Sequence, residues 1–321
     1  MILTDRQTDR QTDRQTDVII RAFKEIENLP YEEKESYYLY LHKVCLVRKN
    51  KFAPRFSEWL ILKLSPLLRG FEIEIRGEEN LPTNESAVFV CNHSNSHDFF
   101  VTKEVFSRVR RSVVPLGAWD GLNWLSRTLF RIGNVVLIKR DDSKSKEYGV
   151  IDFCSKILAG KDGLIFGEAT WNLHPVLPMQ KVKAGVTQVG LITGKPIIPM
   201  IYEYIEAPHI CKKESELYRK CVVVFGKPIV VNVEENIFSQ TETIQQEMEK
   251  LRRNVWKEFG IQKEQLSDID KEVYLNHLYL KKYKALGFRY DSERESRFLL
   301  NYENEYCVNQ DGEFVPGIVE E

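Results

Sequence analysis

Short runs that favour β-strands alternate along this chain with segments of helical periodicity, and this alternation constrains the fold more than any other feature. Residues 71–77 alternate strictly between polar and apolar side chains, as a half-buried strand does. Six further strands are predicted at residues 87–91, 113–116, 135–138, 163–166, 197–202 and 221–225. Helical patterns lie between them at residues 99–108, 122–131, 145–158 and 186–193. The alternation predicts an α/β fold with a mainly parallel central sheet flanked by helices.

Less regular segments flank this α/β region on both sides. The chain begins with three copies of Asp-Arg-Gln-Thr, which have no apolar face and therefore predict disorder. Helical patterning with a break near Pro30 follows the repeats. Five regions are predicted: a disordered tail at 1–17, a helical segment at 18–51, the α/β domain at 52–235, a second helical segment at 236–290 and an acidic tail at 291–321.

Composition and charge exclude several classes of protein. The 321 residues carry a net charge of −1, so no overall basic field points to a nucleic-acid partner. The six cysteines include no Cys-x-x-Cys pair, which favours reduced thiols and a cytoplasmic protein over a zinc ribbon or a disulfide framework. No stretch of eighteen apolar residues without charge occurs, and the start of the chain lacks the apolar core of a signal peptide. We therefore expect no transmembrane helix.

Residues 52–71 are the best candidate for contact with a membrane. Phenylalanine, tryptophan and leucine side chains mix there with lysine and arginine. A helix that lies at a membrane surface has this composition, and so does an amphipathic helix packed on a protein core. By itself the pattern favours the packed helix.

The stretch Asn-His-Ser-Asn-Ser-His-Asp at residues 92–98 follows a predicted buried strand. A histidine with a carboxylate five residues later, His93 and Asp98, is typical of a general base and the group that orients it. Residues five apart on one helix point about 140° away from each other. The two side chains can therefore meet only if His93 lies in the strand-to-helix turn and Asp98 in the first helical turn. Asn95 and Ser96 are candidate N-caps for that helix.

Three more segments carry polar chemistry next to predicted strands. They are residues 133–140, which end in Lys139 and Arg140; residues 164–172, which contain Glu168; and residues 195–200, which follow Lys183. In a parallel sheet the loops after the carboxyl ends of the strands converge on one crevice. His93, Arg140 and Glu168 are therefore predicted to line a single site.

With these segments the sequence resembles the glycerolipid acyltransferase family, which includes the 1-acylglycerol-3-phosphate acyltransferases. The resemblance covers roughly residues 71–204 and consists of four ordered blocks. Residues 92–98 match the first block, the His-x4-Asp motif; residues 133–140 match the second, 166–172 the third and 196–199 the fourth. The order and spacing of the four blocks are more specific than any one of them.

The resemblance implies transfer of a fatty-acyl group from a thioester or acyl-phosphate donor to a hydroxyl of a lysophospholipid or glycerolipid. His93 would act as the general base and Asp98 would orient it. Arg140 and the third block would hold an acceptor phosphate, and Glu168 would bind acceptor hydroxyls or organise its loop. The implied substrate-binding residues are Gly133, Lys139, Arg140, Glu168, Ala169, Thr170 and Lys183.

The same resemblance sets expectations about cofactors, partners and location. No metal or nucleotide is expected, because acyl-CoA, an acyl-carrier protein or an acyl phosphate would enter as a co-substrate. No Gly-x-Ser-x-Gly pattern marks a nucleophile, so no covalent acyl-enzyme is expected. We expect a lipid acceptor, an acyl donor and a membrane surface as partners, and peripheral association with the cytoplasmic face of the membrane.

The third block departs from the family pattern, which is usually Phe-Pro-Glu-Gly-Thr-Arg-Ser. Gly167 replaces the proline, Ala169 the glycine and Trp171 the arginine. Losing the arginine removes a phosphate partner worth roughly 1.5–3 kcal/mol. Either Lys139, Lys181 or Lys183 supplies the missing charge, or the acceptor carries a sugar, a larger headgroup or less charge than lysophosphatidate.

Two other functions compete with acyl transfer on sequence grounds. His93 and His97 are four residues apart and would share a helix face, as zinc ligands do, with Asp98 as a third ligand of a metal-dependent hydrolase. The altered third block also suits a lipid-binding relative that kept the fold without activity. The intact His93 and Asp98 favour the enzyme, since binding alone needs neither.

Overall fold

A computed structural model describes residues 23–47, 71–94, 97–118, 128, 130, 133–139, 142–169, 172, 178–206, 218–261, 306–308 and 314–316. Several predictions fall outside these ranges. They concern the tail at 1–17, the amphipathic segment at 52–70, most of the helix at 122–131, the part of the second helical segment at 262–290, most of the acidic tail at 291–321, and the site residues Arg140, Thr170 and Trp171.

The elements in the described ranges follow the predicted alternation closely. The helices are α1 (Phe23–Glu27), α2 (Tyr31–Val47), α3 (Asp98–Arg108), α4 (Ser143–Leu158), α5 (Gly185–Thr193) and α6 (Ile237–Phe259). The strands are β1 (Glu72–Arg76), β2 (Val88–Cys91), β3 (Val113–Ala118), β4 (Val136–Ile138), β5 (Asp162–Phe166), β6 (Ile197–Glu206), β7 (Tyr218–Phe225), β8 (Tyr306–Val308) and β9 (Phe314–Pro316). β8 and β9 pair with each other, in a tail for which the sequence predicts no element.

Seven strands form one sheet in the order β1-β7-β6-β2-β5-β3-β4. Every neighbouring pair is parallel except β6 and β7, which are antiparallel. The mainly parallel α/β sheet is therefore confirmed. The strands β6, β2, β5, β3 and β4 all run in one direction, so their carboxyl ends share one edge of the sheet.

The central strand β2 has a separate hydrophobic core on each of its two faces. All four of its residues are buried, as the uninterrupted apolar run predicts for a strand that is covered on both faces. Val88 and Val90 pack into a core with α2, α4, α5 and α6. Phe89 and Cys91 pack into a second core with α3 and β1. The turn after β2 therefore leads the chain onto the α3 face.

Within the described residues, α1 and α2 lie in the first predicted helical flank and α6 lies in the first half of the second. Pro30 separates α1 from α2, and its carbonyl accepts the N–H groups of Glu33 and Lys34 in the first turn of α2. A proline is tolerated at a helix start because its missing N–H would have no helical partner there. At the other end, the Asn236 side chain accepts N–H bonds from Phe238 and Ser239 and so begins α6.

Within the described ranges, no helix combines the length and the apolar character that a membrane span needs.

Candidate active site

His93 and Asp98 meet at the carboxyl end of β2. The strand ends at Cys91, α3 begins at Asp98, and His93 lies in the turn between them. His93 Nδ1 lies 2.7 Å from Asp98 Oδ2. The spacing argument for this pair is confirmed, because the turn removes the angular separation that a continuous helix would impose. The predicted N-cap is wrong: His97 occupies that position, and the first helical residue is Asp98 itself.

The Asp98 carboxylate is completely buried and is held from several sides. Its Oδ2 accepts the backbone N–H of Ser94 at 2.9 Å in addition to His93. Its Oδ1 accepts the hydroxyl of Tyr204 at 2.5 Å. A buried charge needs such donors, because it has lost its hydration. The carboxylate next to Nδ1 favours the tautomer with the proton on Nδ1, and the basic lone pair of His93 is then on Nε2.

The His93 ring is partly accessible. Its side chain is 24% exposed, whereas that of Asp98 is 0% exposed. The ring stacks on Phe166 at the end of β5, with 4.2 Å between the ring centroids and 24° between the planes. β5 neighbours β2, so the stacking partner comes from the adjacent strand end. The imidazole is thus held by a carboxylate and by an aromatic face while solvent still reaches part of it.

Asn92 extends the pairing of β2 with β6 beyond the last strand residue. Its side-chain Oδ1 accepts the Tyr202 N–H at 2.8 Å, and its Nδ2 donates to the Tyr202 carbonyl at 3.0 Å. Nδ2 also donates to Ser94 Oγ at 2.7 Å. The amide therefore replaces a backbone partner for β6 and fixes the residue that precedes His93.

Glu168 joins the turn of His93 to another loop. Its Oε1 accepts the His93 N–H at 2.9 Å, and its Oε2 accepts the Gln180 N–H at 2.6 Å. The residue is 1% exposed. Of the two roles implied by the sequence, organising the loop is the one that these contacts favour, since both carboxyl oxygens already accept backbone N–H groups.

Burial changes the protonation of Glu168. Loss of hydration raises the pKa of Glu168 to about 8, and the nearby charge of Asp98 adds to this effect. The N–H donors of Gln180 and His93 and the charge of Arg252 act in the opposite direction and do not overcome burial. A carboxyl that is largely neutral near pH 7 therefore lies beside the Asp98 carboxylate.

Part of the chain matches a known protein family. Residues 72–203 match the protein-family model Acyltransferase. This part of the chain is an acyltransferase-family domain. The match begins at β1, ends within β6 and includes the turn of His93 and Asp98. It agrees closely with the range over which the sequence resembles that family.

The crystal structure of the 1-acyl-sn-glycerophosphate (LPA) acyltransferase PlsC from Thermotoga maritima matches with a TM-score of 0.45 and 14% identity. The match covers 68% of this chain and 88% of that chain. No match was found among curated proteins.

The third block of the acyltransferase domain accommodates Gly167 for a reason that the structure makes visible. The Gly167 N–H donates to the Cys91 carbonyl at 2.9 Å, and a proline would lack this N–H. A Cβ at this position would lie 2.9 Å from Val90 Cγ2. The backbone therefore packs against β2 more closely than the usual proline would allow.

Ala169 lies in the left-handed region of the backbone map, with φ of 58°. The family usually has glycine here, and glycine adopts this conformation without the clash that a Cβ causes. Its N–H still donates to the Phe166 carbonyl at 2.9 Å, so the turn is formed in spite of the strain. Alanine therefore occupies a backbone conformation here that glycine would adopt at a lower energy.

We expect Ala169→Gly to raise the free energy of unfolding by about 0.5–1 kcal/mol, because relief of strain exceeds the extra entropy of glycine in the unfolded chain. Chemical denaturation of the two proteins measures the change. Gly194→Ala, at φ of 63° after α5, is the matched reverse change and should destabilise. A less stable Ala169→Gly protein would contradict the strain at Ala169.

The remaining predicted substrate-binding residues lie at different places around the sheet. Lys183 is exposed, and its N–H donates to the Gly167 carbonyl at 2.9 Å, so its backbone is next to the third block. Lys139 is also exposed and follows β4, three strands from β2, which corresponds to about 14 Å along the edge. Gly133 is buried and precedes β4, at the opposite edge of the sheet. Their substrate contacts stay predictions.

Helix α6 lies beyond the matched range of the acyltransferase domain and yet holds one of its loops. Gln245 Oε1 accepts the Val182 N–H at 2.9 Å, and the Arg252 guanidinium donates to the Pro178 carbonyl. Arg252 is buried and is paired with Glu203 of β6 at 2.5 Å. These contacts fix the loop that carries Gln180, the second partner of Glu168.

The sequence did not point to Tyr204, Gln180 or Arg252, and it gave Asn172 of the third block no role of its own. The Asn172 N–H donates to the His93 carbonyl at 2.7 Å and thus helps to hold the turn that carries His93. A signal existed for Tyr204, because a tyrosine follows the predicted strand at 197–202. That strand continues to Glu206, and Tyr204 is therefore a strand residue near the carboxyl end of β6.

The metal-dependent hydrolase was predicted from two histidines on one helix face, and the structure does not have that arrangement. His93 precedes α3, and so His93 and His97 do not share a helix face. The His97 ring instead contacts Phe71 edge to face, with 5.5 Å between centroids. Across the described ranges, no three His, Cys, Asp or Glu side chains are grouped closely enough to hold a metal ion.

Proposed function

We propose that this protein transfers a fatty-acyl group from an activated donor to a hydroxyl of a lysophospholipid or a related glycerolipid. The observation that carries the proposal is the 2.7 Å contact between His93 Nδ1 and Asp98 Oδ2 inside an acyltransferase-family domain. A histidine oriented by a buried carboxylate is suited to take a proton from an alcohol. The donor is a thioester or an acyl phosphate, and no metal or nucleotide cofactor takes part.

The proposed reaction proceeds by direct attack. The acceptor hydroxyl gives its proton to His93 Nε2 as its oxygen attacks the acyl carbonyl carbon. The bond from that carbon to the thiol sulfur or phosphate oxygen then breaks, and the imidazolium returns its proton to the leaving group. Asp98 stabilises the imidazolium between these steps. Burial raises the pKa of the Cys91 thiol well above its usual range, which supports a reaction without a cysteine nucleophile.

The acceptor phosphate needs a cationic partner near the third block. Lys183 is exposed beside the third block and is the first candidate for a phosphate partner, and Lys139 lies further along the sheet edge. Arg140, the next residue in the sequence, is the third candidate. Trp171 replaces the arginine that the family usually has in this block. We propose a lysophospholipid whose headgroup includes a sugar or another bulky group as the alternative to lysophosphatidate.

We further propose that residues 52–68 attach the enzyme to the cytoplasmic face of a membrane. Aromatic, leucine and cationic side chains in this segment suit the headgroup boundary. Deleting the segment should decrease the fraction of protein that sediments with anionic liposomes. Unchanged sedimentation of a deletion variant with a wild-type unfolding curve would contradict the membrane role.

The test of the proposed function is an acyl-transfer assay with purified protein. Acyl-CoA, acyl-carrier-protein and acyl-phosphate donors are each combined with lysophosphatidate, other lysophospholipids and a glycolipid. The His93→Gln protein serves as the blank. We expect transfer from at least one donor that the blank does not catalyse.

The outcomes separate the candidate functions. Transfer to lysophosphatidate would mean that Trp171 does not prevent phosphate binding, and transfer to another acceptor alone would make Trp171 a specificity residue. Lipid binding without turnover by folded protein would favour the non-catalytic relative. Sensitivity of turnover to a chelator would favour metal-dependent chemistry.

A further inference from the structure

We infer that Tyr204 is a positioning residue for the His93–Asp98 pair, because its buried hydroxyl donates to Asp98 Oδ1 and fixes the carboxylate that orients the base. The inference rests on the proposed function, since it assigns Tyr204 a part in the same site. Tyr204 is on β6 and Asp98 on α3, 106 residues apart in the chain.

The hydrogen bond is short and has an unambiguous donor. The Tyr204 hydroxyl oxygen lies 2.5 Å from Asp98 Oδ1. Burial and the adjacent Asp98 charge hold the pKa of the Tyr204 hydroxyl well above its usual range. The hydroxyl therefore stays protonated and donates a hydrogen bond to the carboxylate. Hydrogen bonds of this kind, from a neutral donor to a charged acceptor, are stronger than neutral pairs.

The two oxygens of Asp98 have different sets of donors. Oδ2 accepts from the His93 ring and from the Ser94 backbone, both within the turn after β2. Oδ1 accepts from Tyr204, which belongs to another strand. Donors on both oxygens fix the rotation of the carboxylate about its Cβ–Cγ bond. Without the Tyr204 hydroxyl, Oδ1 would lose a donor that comes from outside the turn.

The tyrosine ring is itself held in place by aromatic neighbours. It packs edge to face against Phe71, with 5.6 Å between centroids and 85° between the planes. It also contacts Tyr218, with 5.1 Å between centroids. Backbone pairing of Tyr204 with Cys221 of β7 fixes the strand beneath the ring. The hydroxyl is therefore aimed at Asp98 by protein packing and needs no substrate.

The test is Tyr204→Phe, which keeps the ring and removes the hydroxyl. We expect kcat for acyl transfer to decrease roughly tenfold with an unchanged KM, because one charge-assisted hydrogen bond supports the base and none supports substrate binding. We also expect the proton NMR resonance of His93 Nδ1–H to move from its wild-type position. His93→Gln identifies that resonance by its loss.

Tyr202→Phe is the matched control. Tyr202 is two residues earlier on the same face of β6 and is also buried, and its hydroxyl lies 2.7 Å from Thr102 Oγ1. Both variants lose one buried hydroxyl and should lose similar stability. Only Tyr204→Phe should move the His93 resonance and lower kcat selectively.

Two results would overturn the inference. One is a wild-type His93 resonance in Tyr204→Phe, and the other is a resonance and a kcat that change equally in Tyr202→Phe. The resonance is measured without substrate. Absence of transfer by the wild-type protein would therefore overturn the proposed function, while the NMR comparison would still decide whether Tyr204 positions the His93–Asp98 pair.

Discussion

Replacing His93 with glutamine is expected to lower kcat for acyl transfer by roughly 10²–10⁴-fold, the usual contribution of a general base. Glutamine keeps a polar side chain at this position, but its amide has no basic nitrogen to take the acceptor proton. The side chain is 24% exposed and stacks on Phe166, so its replacement also removes a ring contact and costs some stability. Steady-state kinetics and a denaturation curve on the same sample separate lost chemistry from lost folding.

Cys91→Ala tests whether a cysteine nucleophile carries out the transfer in place of the general base. The thiol is buried next to the motif, and burial holds the pKa of Cys91 well above its usual range. We expect Cys91→Ala to lose some stability through the smaller side chain and to retain transfer per folded molecule. If Cys91→Ala abolished transfer while His93→Gln kept more than a tenth of it, a covalent cysteine mechanism would replace the general base.

The contact between His93 and Asp98 could be predicted because it depends on local geometry. A buried strand, a turn and a helix start within seven residues leave few ways for two side chains five apart to meet. The alternation of strands and helices likewise predicted the parallel sheet, since helical crossovers join parallel strands. The sequence did not predict the order of the strands, and so it did not predict which strands lie beside β2.

The missing contacts depend on that order. Glu168 reaches the His93 N–H across 75 residues because β5 lies beside β2. Tyr204 reaches Asp98 because β6 lies on the other side of β2 and continues beyond its predicted end. No periodicity in one sequence states which strands are neighbours. The role of Glu168 therefore had two readings from sequence, and its two hydrogen bonds favour one.

Glu168→Gln is expected to reduce both stability and activity. An amide nitrogen cannot accept a hydrogen bond, so the N–H of either His93 or Gln180 loses its partner at a cost of about 1–3 kcal/mol. The turn that carries His93 then moves, and displacement of a catalytic group by about 1 Å costs roughly 10²-fold in rate. Denaturation and steady-state kinetics measure the two effects on one protein.

The stability difference should also depend on pH. Burial raises the pKa of Glu168 to about 8 from the ordinary value of 4.5. Between these values the folded protein binds this proton and the unfolded chain does not, so the free energy of unfolding falls as pH rises. For Glu168 alone the decrease is roughly 2 kcal/mol between pH 6 and pH 8. Glu168→Gln has no proton to lose, and its destabilisation relative to wild type should therefore shrink over the same interval.

Glu79→Gln provides the control for this pH dependence. It makes the same chemical change at an exposed position, in the short 3-10 helix Glu78–Asn80 that follows β1. The Glu79→Gln curve should run parallel to wild type from pH 6 to pH 8, whereas the Glu168→Gln curve should converge on it. Parallel curves for all three proteins would mean that Glu168 is ionised throughout the interval. The two backbone N–H donors would then outweigh burial, and Glu168 would bridge its loops as a carboxylate.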